Sequence, residues 1–156
     1  MKHHRFQTGV AVLAACALSA CSSGLPDGSG TGGSGGNVDC SGTNAGDQIV
    51  TSSCAIAGCH NTSSASVLGG GLDLTVNATI GSRLIGVKSG GKGSSMCADN
   101  STPYLNARSN PATGLLIDKI HPNPPCGAQM PEVGTKLTSN QQACIVQWAT
   151  TLTTAQ

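Results

Sequence analysis

Eight cysteines fall within 156 residues, at Cys16, Cys21, Cys40, Cys54, Cys59, Cys97, Cys126 and Cys144. No other residue type constrains the fold as much. The first two lie in or at the edge of an apolar N-terminal segment, which leaves six in the region beyond residue 37. That region carries only two aromatic side chains, Tyr104 and Trp148, because Phe6 lies at the N-terminus. Two rings are a thin supply for the core of a domain of roughly 120 residues, which is long enough for one small domain and too short for two. Cross-links, a bound group or both are expected to make up the difference.

The N-terminus explains why those cysteines need not be reduced thiols. Lys2, His3, His4 and Arg5 form a short basic start, and Val10 to Ala20 is almost wholly apolar or small. This pattern reads as a signal peptide over residues 1–20, too short for a permanent membrane span. Leu18-Ser19-Ala20-Cys21 resembles the lipobox of bacterial lipoproteins. The resemblance implies that Cys21 becomes the acylated first residue of the mature chain. Each buried CH2 contributes about 0.8 kcal/mol, so two or three acyl chains hold a protein on a membrane. Ser22 after the acylated Cys resembles the sorting pattern for the outer membrane, which implies a periplasmic or surface-facing domain. Residues 21–37 hold seven glycines with Ser, Thr, Pro and Asp. Such a stretch cannot bury enough surface to fold and is expected to be a disordered tether spanning about 20 Å. The domain proper is expected at residues 38–156.

Charge excludes one class of partner. The whole chain has a net charge of +1; without Lys2 and Arg5, six basic residues face seven acidic ones, a net charge of −1. There is no basic run, so no nucleic-acid partner is expected.

Six cysteines in an oxidising compartment would ordinarily form three disulfides. The segment Cys54-Ala55-Ile56-Ala57-Gly58-Cys59-His60 argues otherwise for one pair. Two cysteines followed at once by His follow the logic of c-type haem attachment. The thiols add to the haem vinyl groups and the adjacent imidazole donates a ring nitrogen to iron. Four residues separate the cysteines where two are usual, and Gly58 can supply the backbone angle that a longer loop needs. The alternatives for C-x4-C-H are a simple disulfide loop or half a zinc site. No second Cys/His pair of suitable spacing follows for zinc.

Further elements come in a fixed order. Gly71-Leu72-Asp73-Leu74 is followed by Leu115-Leu116-Ile117-Asp118-Lys119-Ile120, then Gln129-Met130-Pro131, then Leu137-Thr138 opening a segment that holds Trp148. With the Cys54–His60 segment, this order resembles a family of small class I-like c-type cytochrome domains of exported bacterial proteins, over about residues 45–152. Gly114 stands where that family has Ser, and the cysteine spacing is the longer variant. The resemblance implies an all-α, cytochrome c-like small helical domain around one covalent haem c. It also implies that Met130 occupies the place of the second axial ligand.

The residues themselves favour helices over sheet. Ile49, Val50 and Cys54 fall at helical spacing within 45–57. Thr75 is a candidate N-cap for a helix to about Ile85, and Asn110-Pro111 reads as cap and first turn of a helix to about Ile120. Thr138 and Ser139 each have Gln three residues later, a capping-box pattern, and Ile145, Trp148, Ala149 and Leu152 then share a face.

Three side chains compete for the sixth iron position. Met130 lies in a Pro-rich loop, and its thioether favours ferrous iron. Its ordinary role would be core filler. His121 ends a helix, where a surface or capping role is ordinary. Met96 lies beside Cys97 in a Gly/Ser-rich loop. For the other cysteines, Cys126–Cys144 is the expected pair, because it would pin the Met130 loop to the last helix and contribute about 3 kcal/mol. Cys40–Cys97 follows by elimination.

The expected function is electron transfer by a monohaem lipoprotein at a bacterial envelope membrane, with redox proteins as partners and the membrane reached through the lipid. With Cys54, Cys59, His60 and Met130 all engaged, the iron would have no open site, and an enzyme is not expected. No Ser/His/Asp set, paired carboxylates or phosphate loop competes, and Glu132 is the only Glu. The alternative is a haem-free, disulfide-bonded surface lipoprotein acting as a binding or scaffold module. A third reading, a haem enzyme with an open iron site, requires Met130 not to bind.

Overall fold

The structure is a computed structural model. It describes residues 40, 44–63, 71–89, 97 and 101–155. Four helices appear among them: α1 (Ala45–Ser53), α2 (Ile80–Leu84), α3 (Leu115–Ile120) and α4 (Ser139–Thr154). Between them run long connections, with two isolated β-bridges, Ile85 to Leu105 and Lys88 to Pro103. The expected signal peptide, the expected lipidation site at Cys21, the expected tether and Met96 lie outside the described residues.

The longest helix, α4, is the centre of the packing. Its N-terminus is closed by the expected capping box: the Thr138 side chain accepts from the Gln141 amide and the Gln141 side chain accepts from the Thr138 amide. Two otherwise orphaned donors are thereby satisfied. Cys144, Ile145, Trp148 and Ala149 are buried along one face, with Leu152 half-buried beside them. Both α1 and α3 pack against α4. Helix α1 carries Asp47 in its first turn, where a carboxylate complements the helix dipole, and buries Ile49 and Val50. Gly46 lets its backbone approach α4. A Cβ at Gly46 would lie 2.2 Å from Trp148 Cβ and 2.8 Å from the Cys144 carbonyl oxygen.

Aliphatic residues fill the core that the aromatics cannot. Leu74, Leu84, Leu105, Leu115, Leu116, Ile117, Ile120 and Leu137 are buried with Tyr104 and Trp148. No buried side-chain nitrogen or oxygen among the described residues lacks a hydrogen-bond partner.

Three expected helix boundaries are corrected. Helix α1 stops at Ser53 instead of reaching Ala57, because the Cys54 and Ala55 amides both turn back to the Val50 carbonyl. Thr75 is not an N-cap. Its amide goes to Asp73 Oδ1 at 2.9 Å, its carbonyl accepts from Arg83, and α2 begins only at Ile80. Asn110-Pro111 does not open α3, which starts at Leu115 after Gly114. The amides that a helix from Pro111 would return to its first turn are drawn elsewhere: Leu115 donates to the Pro103 carbonyl at 2.9 Å and Leu116 to the Tyr104 carbonyl at 3.0 Å. Gly114 has φ 131°, and a Cβ there would lie 2.6 Å from the Tyr104 carbonyl oxygen, so the entry into α3 requires glycine.

The cysteine pairing is also corrected. The disulfides are Cys40–Cys144 and Cys97–Cys126, not Cys126–Cys144 and Cys40–Cys97. Cys144 lies on the buried face of α4, one turn from Trp148, where α1 packs, and Cys40 meets it there. Cys126 sits in the connection after α3 and is held by Lys119, whose Nζ donates to the Cys126 carbonyl at 3.0 Å. The Met130 loop is therefore cross-linked to the Cys97 segment and not to α4.

Candidate functional site

The end of α1 builds a tight turn from the residues that carry the chemistry. After the two amides that return to Val50, the Cys59 amide donates to the Ile56 carbonyl at 3.1 Å. The His60 amide then donates to the Cys54 carbonyl at 3.0 Å and closes the loop. Gly58, at φ 82°, supplies the left-handed residue such a turn needs. Cys54, Cys59 and His60 are thus held in one turn of chain.

Neither Cys54 nor Cys59 belongs to a disulfide. Cys54 is buried, Cys59 and His60 half-buried. Burial, and secondarily the neighbouring Cys59, push the Cys54 thiol up to about 12. At neutral pH Cys54 therefore carries its proton.

His60 is braced by the Gly71–Thr75 stretch. Its carbonyl accepts from the Leu74 amide at 2.7 Å, and its ring Nδ1 lies 3.1 Å from the Leu72 carbonyl oxygen. A carbonyl can only accept, so in this contact Nδ1 carries a proton, and in the neutral ring Nε2 then carries the lone pair. Metal-ligating histidines are held in this way, with the far ring nitrogen donating to a carbonyl or carboxylate.

Asp73 and Arg83 fix that stretch in turn. Asp73 accepts from the Thr75 amide and from Thr62 Oγ1, two residues after His60. Partial burial pushes the Asp73 carboxyl upward. The Thr75 amide and hydroxyl, the Arg83 guanidinium and the Thr62 hydroxyl outweigh it and hold the carboxyl below its usual range. Arg83, on α2, donates to the carbonyls of Asp73 and Thr75 and to the side chains of Asn77 and Thr79. The sequence reading did not single out Arg83. Its signal was scarcity: beyond residue 20 the chain has only one other arginine, Arg108.

Met130 sits on a separate, half-buried loop. Its amide donates to the Lys119 carbonyl at 2.7 Å, at the end of α3. Gln129 Nε2 donates to the Ile120 carbonyl at 3.0 Å, and Lys136 Nζ to the carbonyls of Gln129, Pro131 and Glu132. Burial lowers the Lys119 ammonium, with the Glu132 carboxylate opposing. His121 follows α3 directly, and its amide returns to the Asp118 carbonyl. It lines an open cleft of about 930 Å³ on the outer side of α4, beside Gln142, Val146 and Thr150. No residue of the Cys54–His60 turn lines that cleft.

Among the described residues no group of three or more His, Cys, Asp or Glu side chains is gathered to hold a bare metal ion. A covalently held porphyrin asks for something different: two thiols at its edge and one imidazole for its iron. The donor set of the turn fits that demand, and the fixed Nδ1 proton leaves the correct nitrogen to ligate. No helix among the described residues is long and apolar enough to cross a membrane. The chain matches no protein-family model, no curated protein and no solved structure.

Proposed function

We propose that the chain is an exported, cytochrome c-like monohaem lipoprotein that carries electrons at a bacterial envelope membrane. The observation that carries this reading is the donation from His60 Nδ1 to the Leu72 carbonyl, in a turn whose two thiols stand outside both disulfides. Haem c, when bound, supplies the one-electron couple. Cys54 and Cys59 would hold it through thioethers. His60 would ligate its iron through Nε2, its ring direction set by Leu72. Met130, on a loop fastened to α3 and to Cys97, would be the second ligand. The place of His121 on the α4 cleft favours Met130 over it. Redox proteins are the partners, and Cys21, through its acyl chains, keeps the domain at the membrane.

A specific observation favours the second reading. Two disulfides cross-link the described residues around an aliphatic core. A haem-free binding or scaffold lipoprotein would look like this, with Cys54 and Cys59 oxidised to a third disulfide. Intact mass separates the two: one added haem on the exported chain supports the carrier. The apoprotein mass less two protons per disulfide supports the scaffold.

A further inference from the structure

We propose that Arg83 is a positioning residue for the His60 ring, acting through the Leu72–Thr75 segment; its redox consequence rests on the haem reading above. The guanidinium spends its donors on one short stretch. Nε donates to the Asp73 carbonyl at 3.1 Å and Nη2 to the Thr75 carbonyl. Nη1 donates to Asn77 Oδ1 at 3.1 Å and to Thr79 Oγ1 at 2.7 Å. The Asp73 carbonyl is one peptide from the Leu72 carbonyl that receives the His60 proton. Fixing one peptide plane restricts its neighbour, because only two backbone torsions separate them.

The segment is held from two other sides. The Asp73 carboxylate ties it to Thr62, and the Leu74 amide ties it to the His60 carbonyl. The Leu74 side chain, 2% exposed, anchors it in the core. Arg83 adds a further constraint, from α2. A planar fork with five donors can grip four acceptors at once, which a lysine ammonium cannot. Donation from Nδ1 to a carbonyl makes an imidazole a more basic ligand. A more basic ligand stabilises ferric iron and lowers the potential. Releasing the segment therefore weakens the Nδ1 bond and moves the potential upward.

The test uses the full-length exported chain with Arg83→Gln, Arg83→Lys and, as a control, Ile80→Val, which loosens α2 without touching the guanidinium contacts. Two quantities are read: midpoint potential, and the ring ¹⁵N shifts of His60 in the reduced protein, with His121 as internal reference. Arg83→Gln is expected to raise the potential and shift the His60 Nδ1 resonance, Arg83→Lys to do both in part, and Ile80→Val to do neither while lowering the melting temperature. Wild-type values in Arg83→Gln, or equal shifts in Ile80→Val, overturn the inference. If Arg83→Gln does not fold, unchanged values in Arg83→Lys overturn it. A wild-type chain without haem overturns the proposed function instead, and the His60 resonances still decide the role of Arg83.

Discussion

Gly46 of α1 lies against Trp148 of α4 so closely that a Cβ would stand 2.2 Å from Trp148 Cβ. The same Cβ would meet the Cys144 carbonyl at 2.8 Å. Neither neighbour is the far end of a flexible side chain. The turn of Cys54, Cys59 and His60 grows from the other end of α1, so this contact sets where the turn sits on the domain.

Gly46→Ala is therefore expected to destabilise. Alanine gains up to about 1 kcal/mol in helix propensity, while overpacking costs about 1–3 kcal/mol, and a 2.2 Å contact belongs at the upper end. Thermal unfolding of the variant is expected to show a melting temperature lower by several degrees. An unchanged or raised value would mean that α1 does not pack on α4 at Gly46.

The disulfides give a second expectation. Peptide mapping without reduction is expected to recover Cys40 linked to Cys144 and Cys97 linked to Cys126. Their sequence separations are 104 and 29 residues. Chain entropy then assigns about 4.7 kcal/mol to the first and about 3.5 kcal/mol to the second. Cys40→Ser with Cys144→Ser is expected to cost more stability than Cys97→Ser with Cys126→Ser. The reverse order in denaturant unfolding would contradict the pairing or the entropy account.

These outcomes also show what was legible in the sequence. The Thr138–Gln141 box could be read because both partners lie within one turn, and the Ile145–Trp148–Ala149 face because helical period places it. The start of α3 could not, because the Pro103 and Tyr104 carbonyls, outside the helix, take the Leu115 and Leu116 amides that a longer helix would use. The disulfide pairs depend on which segments meet in space, which spacing does not encode. The three residues of the turn, Cys54, Cys59 and His60, were local and visible. Their brace was not: a backbone carbonyl such as that of Leu72 has no residue signature, and Arg83 acts through backbone acceptors.

Acid should weaken the brace through Asp73. Its carboxyl is held below the ordinary value of 3.8 in the folded chain. A lowered folded value means stability that is present above the unfolded value and lost as pH falls through the folded one. Unfolding free energy is therefore expected to decline below about pH 4, and Asp73→Asn to flatten part of that decline. Asp73 is only half-buried, so solvent screening keeps the effect small. An acid limb identical in wild type and variant would show that Asp73 does not contribute to it.

On the proposed haem reading, Met130→Ala is expected to leave the thioethers and His60 ligation intact. Loss of the soft sulfur should lower the midpoint potential and change the optical spectrum, while His121→Ala should change neither. A changed His121→Ala spectrum with an unchanged Met130→Ala spectrum would move the second ligand to His121 and make the centre bis-histidine.

The measurement closest to the central claim is the pyridine haemochrome spectrum of the exported chain after acid–acetone extraction, compared with the Cys54→Ser, Cys59→Ser double variant. The account predicts a haem c haemochrome that survives extraction in the wild type, at one haem per chain, and is absent from the double variant. A wild-type chain that shows no haemochrome, with Cys54 and Cys59 recovered as a disulfide, would contradict it.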